Sequence, residues 1–177
     1  MNFAKIEKSI TGAVKEQQIK LGYLSEKVRL YYPLTSLNRL LGKECSIEQM
    51  QECLKEYAES VADKYGNIEI TNVKDRFCIL IPEQGSDYIH ECIGEDKFLV
   101  EFIEAIRQHG STFEDILVVF QKYSDKVHVE KIENGEFDYL ISFEDGNPDD
   151  FIYCLNVHEN HIIYHRFTPD DYIEFLE

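Results

Sequence analysis

The residues whose types best suit chemistry lie in a hairpin that the sequence pattern predicts at residues 151–167. Its turn places His158 opposite His161 and Cys154 opposite His165, all on one face of the sheet. Directly opposed side chains lie about 5 Å apart, close enough to share a metal ion or a proton. Because zinc prefers imidazole and thiolate ligands, His158 and His161 are candidate metal ligands.

One metal ion cannot serve both of these pairs. The pairs lie four residues apart along the strand, which is about 13 Å at the rise of an extended chain. Each pair needs further ligands, and the sequence fixes no third ligand for either. The pattern therefore favours a surface or partner-facing histidine pair over a metal site, and no cofactor is predicted.

The pairing of Cys154 with His165 also allows a thiolate nucleophile activated by an imidazole base. The sequence marks no oxyanion hole, no third orienting group and no nucleophile elbow beside them. A metal-dependent or cysteine enzyme that uses the face of Cys154, His158, His161 and His165 is therefore the alternative hypothesis. The five cysteines include no CxxC pair and no signal peptide is recognisable, so reduced thiols in the cytoplasm are expected.

A second group of potential ligands is the loop at residues 144–150, which contains four carboxylates, a glycine and an asparagine. These are ingredients of a calcium site, but the spacing and terminal glutamate of an EF-hand are missing. A solvated turn between strands is the favoured interpretation. Asp149 and Asp150 are then candidate residues of an acidic interaction surface.

Charge is distributed unevenly along the chain. Residues 1–82 carry 12 basic and 11 acidic residues, whereas residues 83–177 carry 6 basic and 23 acidic ones, within a net charge of −16. An acidic surface repels nucleic acid and anionic membranes and attracts basic proteins. No apolar run reaches the roughly 18 residues of a membrane span. The expected partner is therefore a protein rather than nucleic acid or membrane, and a basic protein is the class that this charge attracts.

The N-terminal part of the chain is predicted to be mainly helical. Apolar residues at steps of three and four predict an amphipathic helix at residues 2–20, whose apolar surface is the simplest site for a homodimer. Leu24, Val28 and Tyr31 continue a helical pattern as far as Pro33.

A short helix at residues 35–41 follows and ends at Gly42. Ser46 and Gln49 then form a capping box that begins a longer helix, which extends to Tyr65. Period-two alternation predicts a hairpin next, in which a turn at Lys74-Asp75 pairs Ile70 with Ile79 and Ile68 with Ile81.

This order of helix, short helix, turn, longer helix and hairpin resembles a winged helix-turn-helix domain, with the module at residues 34–82. The resemblance implies that the helix from Ser46 is a recognition helix, which in such domains enters the major groove of DNA. Its outward face carries five carboxylates: Glu48, Glu52, Glu56, Glu59 and Asp63. DNA affinity depends on Lys and Arg contacts with phosphates, so this charge favours protein contact, and DNA binding is the second alternative.

The rest of the chain is predicted to begin with a polar connection at residues 83–96, inside which Tyr88, Ile89 and Cys92 are candidates for a short helical turn. A helix that begins at Phe98 and ends near Gly110 follows, and a capping box of Ser111 and Glu114 begins another.

A hairpin at residues 127–143 follows these helices and turns at Asn134-Gly135. One extra residue, accommodated as a Gly bulge, aligns its valines with Tyr139 and Ile141. Thr168 caps a final helix.

Together these patterns predict an α+β chain. A helical N-terminal half with a winged-helix-like hairpin precedes two helices packed on a roughly four-stranded antiparallel sheet and a short C-terminal helix. The predicted division is a helical subdomain at residues 1–82 and an acidic subdomain at residues 83–177. Overall the chain is similar to small uncharacterised bacterial families known as domains of unknown function, which implies no activity. The favoured function is a non-enzymatic, cytoplasmic protein-interaction or regulatory module with an acidic docking surface.

Overall fold

The computed structural model describes residues 3–133 and 135–176 and has the predicted α+β class. Helices accompany two antiparallel sheets, one of three strands and one of four. Contacts divide the chain into two compact units between Glu95 and Asp96. Among the described residues, no helix is both long and apolar enough to cross a membrane.

The first unit combines helices with the three-stranded sheet. Its elements are α1 (Ala4–Leu21), β1 (Val28–Pro33), α2 (Leu34–Leu41), α3 (Ile47–Ser60), α4 (Ala62–Tyr65), β2 (Glu69–Val73), β3 (Arg76–Ile81), α5 (Glu83–Glu91) and a short 3-10 helix (Ile93–Glu95). The strand order is β1-β3-β2, and both pairings are antiparallel.

The start of α3 and the β2–β3 hairpin are confirmed. The Ser46 hydroxyl accepts a hydrogen bond from the Gln49 N–H, and the Gln49 side chain accepts one from the Ser46 N–H, as a capping box requires. The hairpin pairs Ile70 with Ile79 and turns at Lys74, whose φ of 56° is left-handed. β2 begins at Glu69, so the predicted pair of Ile68 with Ile81 lies outside the ladder. The predicted longer helix is interrupted at Val61, so α3 and α4 share its length.

The apolar stripe of α1 faces inward. Ile6, Ile10 and Val14 are buried in the core of the first unit together with residues of α2, α3 and β3. Burial of such side chains contributes about 1.5–3 kcal/mol each. This stripe is therefore used for folding, and it does not offer the apolar surface on which a homodimer through the first helix was expected to rest.

The helical pattern predicted up to Pro33 is wrong, because residues 28–33 form strand β1. β1 pairs with β3, with Val28 opposite Ile81, and its inward positions follow period two. Tyr31, which the helical spacing placed on an apolar face, is 61% exposed. Val28, Tyr31 and Tyr32 are residue types that favour strands. The segment fits both a helical and a strand spacing, and it forms a strand because it pairs with the edge of β3.

The segment predicted as a polar connection with a short helical turn is more regular than expected. Residues 83–91 form α5, and Ile89 is buried. Gly85 lies so close to α4 that a Cβ at this position would be 2.8 Å from the carbonyl oxygen of Tyr65. α5 therefore packs within the first unit, while the division into subdomains at residue 82 stays a prediction.

The second unit packs helices on the four-stranded sheet. Its elements are α6 (Lys97–Arg107), α7 (Phe113–Tyr123), β4 (Val127–Lys131), β5 (Tyr139–Phe143), β6 (Ile152–Val157), β7 (Ile162–Phe167) and α8 (Pro169–Leu176). The strand order is β4-β5-β6-β7, antiparallel throughout. An aromatic cluster fills its core, and the Phe98 ring centroid lies 4.9–6.1 Å from those of Phe102, Phe120, Tyr123, Phe143 and Tyr153.

Two local predictions in this unit have different outcomes. The extra residue in the β4–β5 connection is confirmed, since Val129 lies opposite Ile141; the turn residue Asn134 lies outside the described residues. The capping box begins one residue later than predicted, at Thr112 with Asp115. Ser111 instead donates hydrogen bonds to backbone carbonyls at the end of α6.

Candidate functional site

The histidine and cysteine pairs of the last hairpin have the predicted register. Cys154 lies opposite His165, and the His158 N–H donates a 2.9 Å hydrogen bond to the His161 carbonyl. The rings of His158 and His161 are 4.7 Å apart between centroids. Among the residues that the structure describes, no three His, Cys, Asp or Glu side chains form a group that could hold a metal ion. The metal role of His158 and His161 therefore remains a hypothesis that lacks a third ligand.

Cys154 is poorly placed to act as a nucleophile. Its side chain is 0% exposed, and burial raises its pKa to about 11. The thiolate is the reactive form of cysteine. At neutral pH Cys154 is therefore a protonated core residue beside Leu140, its partner on β5, whereas His165 is exposed on the neighbouring strand.

The two aspartates of the acidic loop have different environments. Asp149 is half-buried and accepts hydrogen bonds from the Tyr153 hydroxyl, at 2.6 Å, and from the Phe151 N–H, at 3.1 Å. Burial raises the pKa of Asp149 despite these hydrogen bonds. Asp150 is exposed. Asp149 thus holds the chain at the start of β6, and only Asp150 of this pair faces solvent.

The carboxylates of α3 lie on one exposed face. We define the acidic face as the side chains of Glu48, Glu52, Glu56 and Glu59, all of which are exposed. Their spacing of three or four residues places them side by side on the helix. Hydrogen bonds from its own N–H and from the Ser46 hydroxyl lower the pKa of Glu48. The other three form no hydrogen bond or ion pair with any part of the chain that the structure describes.

An open pocket of about 300 Å³ lies beside the acidic face. Its apolar lining comes from Ala58 on α3, Ala62 on α4, and Ile68 and Ile70 at β2, and Glu59 belongs to both the lining and the acidic face. Lys55 and Asn67 complete the lining. The sequence predicted the charged face but gave no sign of the pocket, because its two walls come from separate elements.

A polar cluster that the sequence did not predict joins the loop before β1 to α5. Tyr23 and Ser25 both donate hydrogen bonds to the Asp87 carboxylate, and the Tyr23 ring stacks on His90 at 3.7 Å between centroids. These hydrogen bonds lower the pKa of Asp87, and the one to Asp87 raises that of Tyr23. The cluster therefore contains an ionised carboxylate and a protonated phenol at neutral pH, and it fastens the loop to the helix.

Beneath this cluster, the Gln18 side chain donates hydrogen bonds to the carbonyl and hydroxyl oxygens of Ser86, at 2.9 and 3.0 Å. The buried Oε1 of Gln18 and Nδ1 of His90 have no hydrogen-bond partner among the described residues. The residues of the cluster lie more than 60 positions apart in the sequence, so no local spacing signal could have revealed it.

Comparison with protein families finds one match that covers nearly the whole chain. The family is described as "Domain of unknown function, E. rectale Gene description (DUF3877)", and its model matches residues 3–176. Comparisons with curated proteins and with solved structures find no match. The resemblance to an uncharacterised family is thereby confirmed, whereas no comparison confirms the resemblance to winged-helix domains.

Proposed function

We propose that this chain, which belongs to the DUF3877 family of unknown function, is a non-enzymatic protein-interaction or regulatory module of the cytoplasm. In this proposal the acidic face of α3 and the adjoining pocket dock a basic segment of a partner protein. The observation that carries the proposal is that Glu59 belongs to both features, so unpaired charge and accessible apolar surface adjoin.

The exposed side of α3 is mainly negative, with Lys55 between Glu52 and Glu59 as its one basic residue. Glu48, Glu52 and Glu56 follow one another at intervals of four, and like charges at this spacing destabilise a helix by about 0.2–0.5 kcal/mol per pair. A basic partner would convert this repulsion into attraction. Complementary charge chiefly provides specificity and fast association.

The pocket supports a particular kind of partner. A volume of about 300 Å³ is at the small end for ligand sites, and it suits one or two apolar side chains better than a cofactor. The proposed partner segment is therefore amphipathic, with an apolar anchor flanked by Lys or Arg residues.

We further propose that the first unit has a winged-helix-like arrangement that serves as a scaffold and does not bind DNA. The order α1-β1-α2-α3-α4-β2-β3, in which the one-turn α4 follows α3 and β1 and β2 lie on either side of β3, supports it. In a DNA-binding domain of this kind α3 would approach phosphates, and the acidic face would be repelled. We therefore assign α3 to protein contact.

Titration of a fluorescein-labelled amphipathic peptide of Lys and Leu residues tests this proposal by fluorescence anisotropy. We expect the triple variant E52Q/E56Q/E59Q to lose at least about tenfold in affinity, or roughly 1.4 kcal/mol. The matched control E104Q/E133Q/E144Q removes the same charge from exposed sites of the second unit and should lose less than about twofold. Equal losses in the two variants would overturn the proposal.

A second variant tests the pocket separately from the charge. Ala58→Leu places a larger side chain in the lining while every carboxylate is retained. We expect weaker binding of the Lys/Leu peptide and unchanged binding of a Lys/Ala peptide of the same charge. Unchanged binding of both peptides would remove the pocket from the proposed site.

A further inference from the structure

Strand β4 is an exposed edge of the four-stranded sheet. It pairs with β5 on one side, and no strand of the described ranges 3–133 and 135–176 pairs with it on the other. Four of its five residues are exposed, and Val129 is 39% exposed although its partner Ile141 is buried. Open edges of this kind are templates for pairing with another strand.

The direction of the backbone groups on β4 follows from its hydrogen bonds with β5. The Ile132 N–H donates to the Asp138 carbonyl at 2.9 Å, and the Lys126 carbonyl accepts from the Glu144 N–H at 3.0 Å. Backbone direction alternates along a strand. The N–H and C=O groups of Val127, Val129 and Lys131 therefore point toward the open edge.

We propose that β4 pairs with β4 of a second copy of this chain, antiparallel and centred on Val129. In this register Val129 lies opposite Val129 of the second copy, and Val127 lies opposite its Lys131. Each such pair exchanges two backbone hydrogen bonds. All outward N–H and C=O groups of the three residues are then paired in both strands, and the two sheets become one.

The side chains at directly opposed positions favour this register over one centred on Glu130. His128 lies opposite Glu130 of the second copy, and Glu130 opposite its His128, in positions where antiparallel side chains approach most closely. The same two side chains already lie 3.9 Å apart, His128 Nε2 to Glu130 Oε2, along a single strand. A register centred one residue further along would place Glu130 opposite Glu130 of the second copy, which is unfavourable. On the other face the exposed Val129 side chains cover each other.

Sedimentation equilibrium of the full chain tests the pairing, with variants that act on the edge alone. We expect the wild type to dimerise at concentrations below about 1 mM, the weak end of specific affinities. Val129→Pro removes one outward N–H and leaves the bonds to β5 intact, because proline is tolerated where the N–H of an edge strand faces solvent. We expect this variant to be monomeric, with an unchanged circular dichroism spectrum.

A charge exchange gives a test that does not depend on proline. His128→Glu places Glu opposite Glu130 of the second copy and should weaken the dimer at least about tenfold. The double variant H128E/E130H restores opposite pairs and should restore the dimer. A monomeric wild type at about 1 mM overturns the proposal, and so does a dimer that persists unchanged in both V129P and H128E.

Discussion

The two units of the chain differ in how they use acidic residues. Residues 1–95 carry 12 basic and 15 acidic residues, and residues 96–177 carry 6 and 19. In the far more acidic second unit, many carboxylates serve the fold. Asp115 caps α7, Asp138 accepts a hydrogen bond from the Val157 N–H, and Glu101 pairs with Lys122. The nearly neutral first unit instead carries the acidic face. Net charge and the pairing of individual carboxylates are therefore separate properties, and under the proposed function the docking surface lies on the less acidic unit.

The hydrophobic cores of the two units also differ in composition. The first is mainly aliphatic, with Ile6, Ile10, Leu54 and Ile79 fully buried, whereas the second is built from stacked and edge-to-face rings. Aromatic pairs add about 0.5–1.5 kcal/mol each beyond the burial of their area. Stability of the second unit should therefore depend strongly on a few large side chains.

The largest effect is expected from the centre of the aromatic cluster. Phe98→Ala should lower the free energy of unfolding by about 3–5 kcal/mol, because it leaves a cavity among five rings. Urea denaturation measures the loss. Val118→Ala, at an exposed position of α7, is the control and should cost less than about 0.5 kcal/mol. If Phe98→Ala lowers the free energy of unfolding no more than Val118→Ala does, the second unit does not depend on its aromatic cluster as described.

Two buried tyrosines, one in each unit, sharpen the comparison. Tyr153→Phe removes the hydrogen bond to the Asp149 carboxylate and should cost about 1.5–3 kcal/mol. Tyr57→Phe should leave stability unchanged or raise it by about 1 kcal/mol, because the buried Tyr57 hydroxyl has no hydrogen-bond partner among the described residues. Urea denaturation of both variants measures these changes in the free energy of unfolding. Equal losses of stability in the two variants would contradict the prediction.

A smaller, pH-dependent effect is expected at Asp149. Burial raises the pKa of this carboxyl, so the folded protein binds its proton more tightly than the unfolded chain does. Its contribution to stability therefore falls as pH rises from about 4, the ordinary value for Asp, through the folded pKa. The stability of the wild type relative to Asp149→Asn should decrease between about pH 4 and 7. An increase over that range would exclude the buried environment of Asp149.

The smallest effect, of the opposite sign, is expected at the half-buried Asp87. Hydrogen bonds from Tyr23 and Ser25 lower the pKa of this carboxyl, so its contribution is present above about pH 4 and is lost as pH falls through the folded pKa. Relative to Asp87→Asn, the wild type should lose stability on acidification below pH about 4. Tyr23→Phe should reduce this dependence. Identical pH profiles for wild type and Asp87→Asn would argue against the cluster.

Sequence reasoning succeeded where the determining interactions are local. The capping box at Ser46, the hairpin at Ile70 and Ile79, and the final helix cap at Thr168, whose hydroxyl accepts from the Asp171 N–H, depend on residues a few positions apart. The failures depend on distant partners. Residues 28–33 fit both a helical and a strand pattern, and only the edge of β3, more than 40 residues away, selects the strand.

The candidate sites follow the same rule. The exposure of Glu52 and the pairing of Cys154 with His165 could be predicted from spacing within one element or hairpin. The burial of Cys154, the inward role of Asp149 and the pocket beside Glu59 depend on how separate elements pack. Spacing alone therefore predicted which residues share a face, but not what covers that face.

The most direct test of the central claim is a map of the basic peptide's contacts on the isotopically labelled chain by two-dimensional amide NMR. We predict that titration of the Lys/Leu peptide shifts amide signals of α3, α4 and β2 around the acidic face and the pocket, and that signals of the more acidic second unit stay in place. Shifts spread over the carboxylate-rich surfaces of the second unit, with α3 unaffected, would show that binding follows net charge and would contradict the assignment of docking to α3.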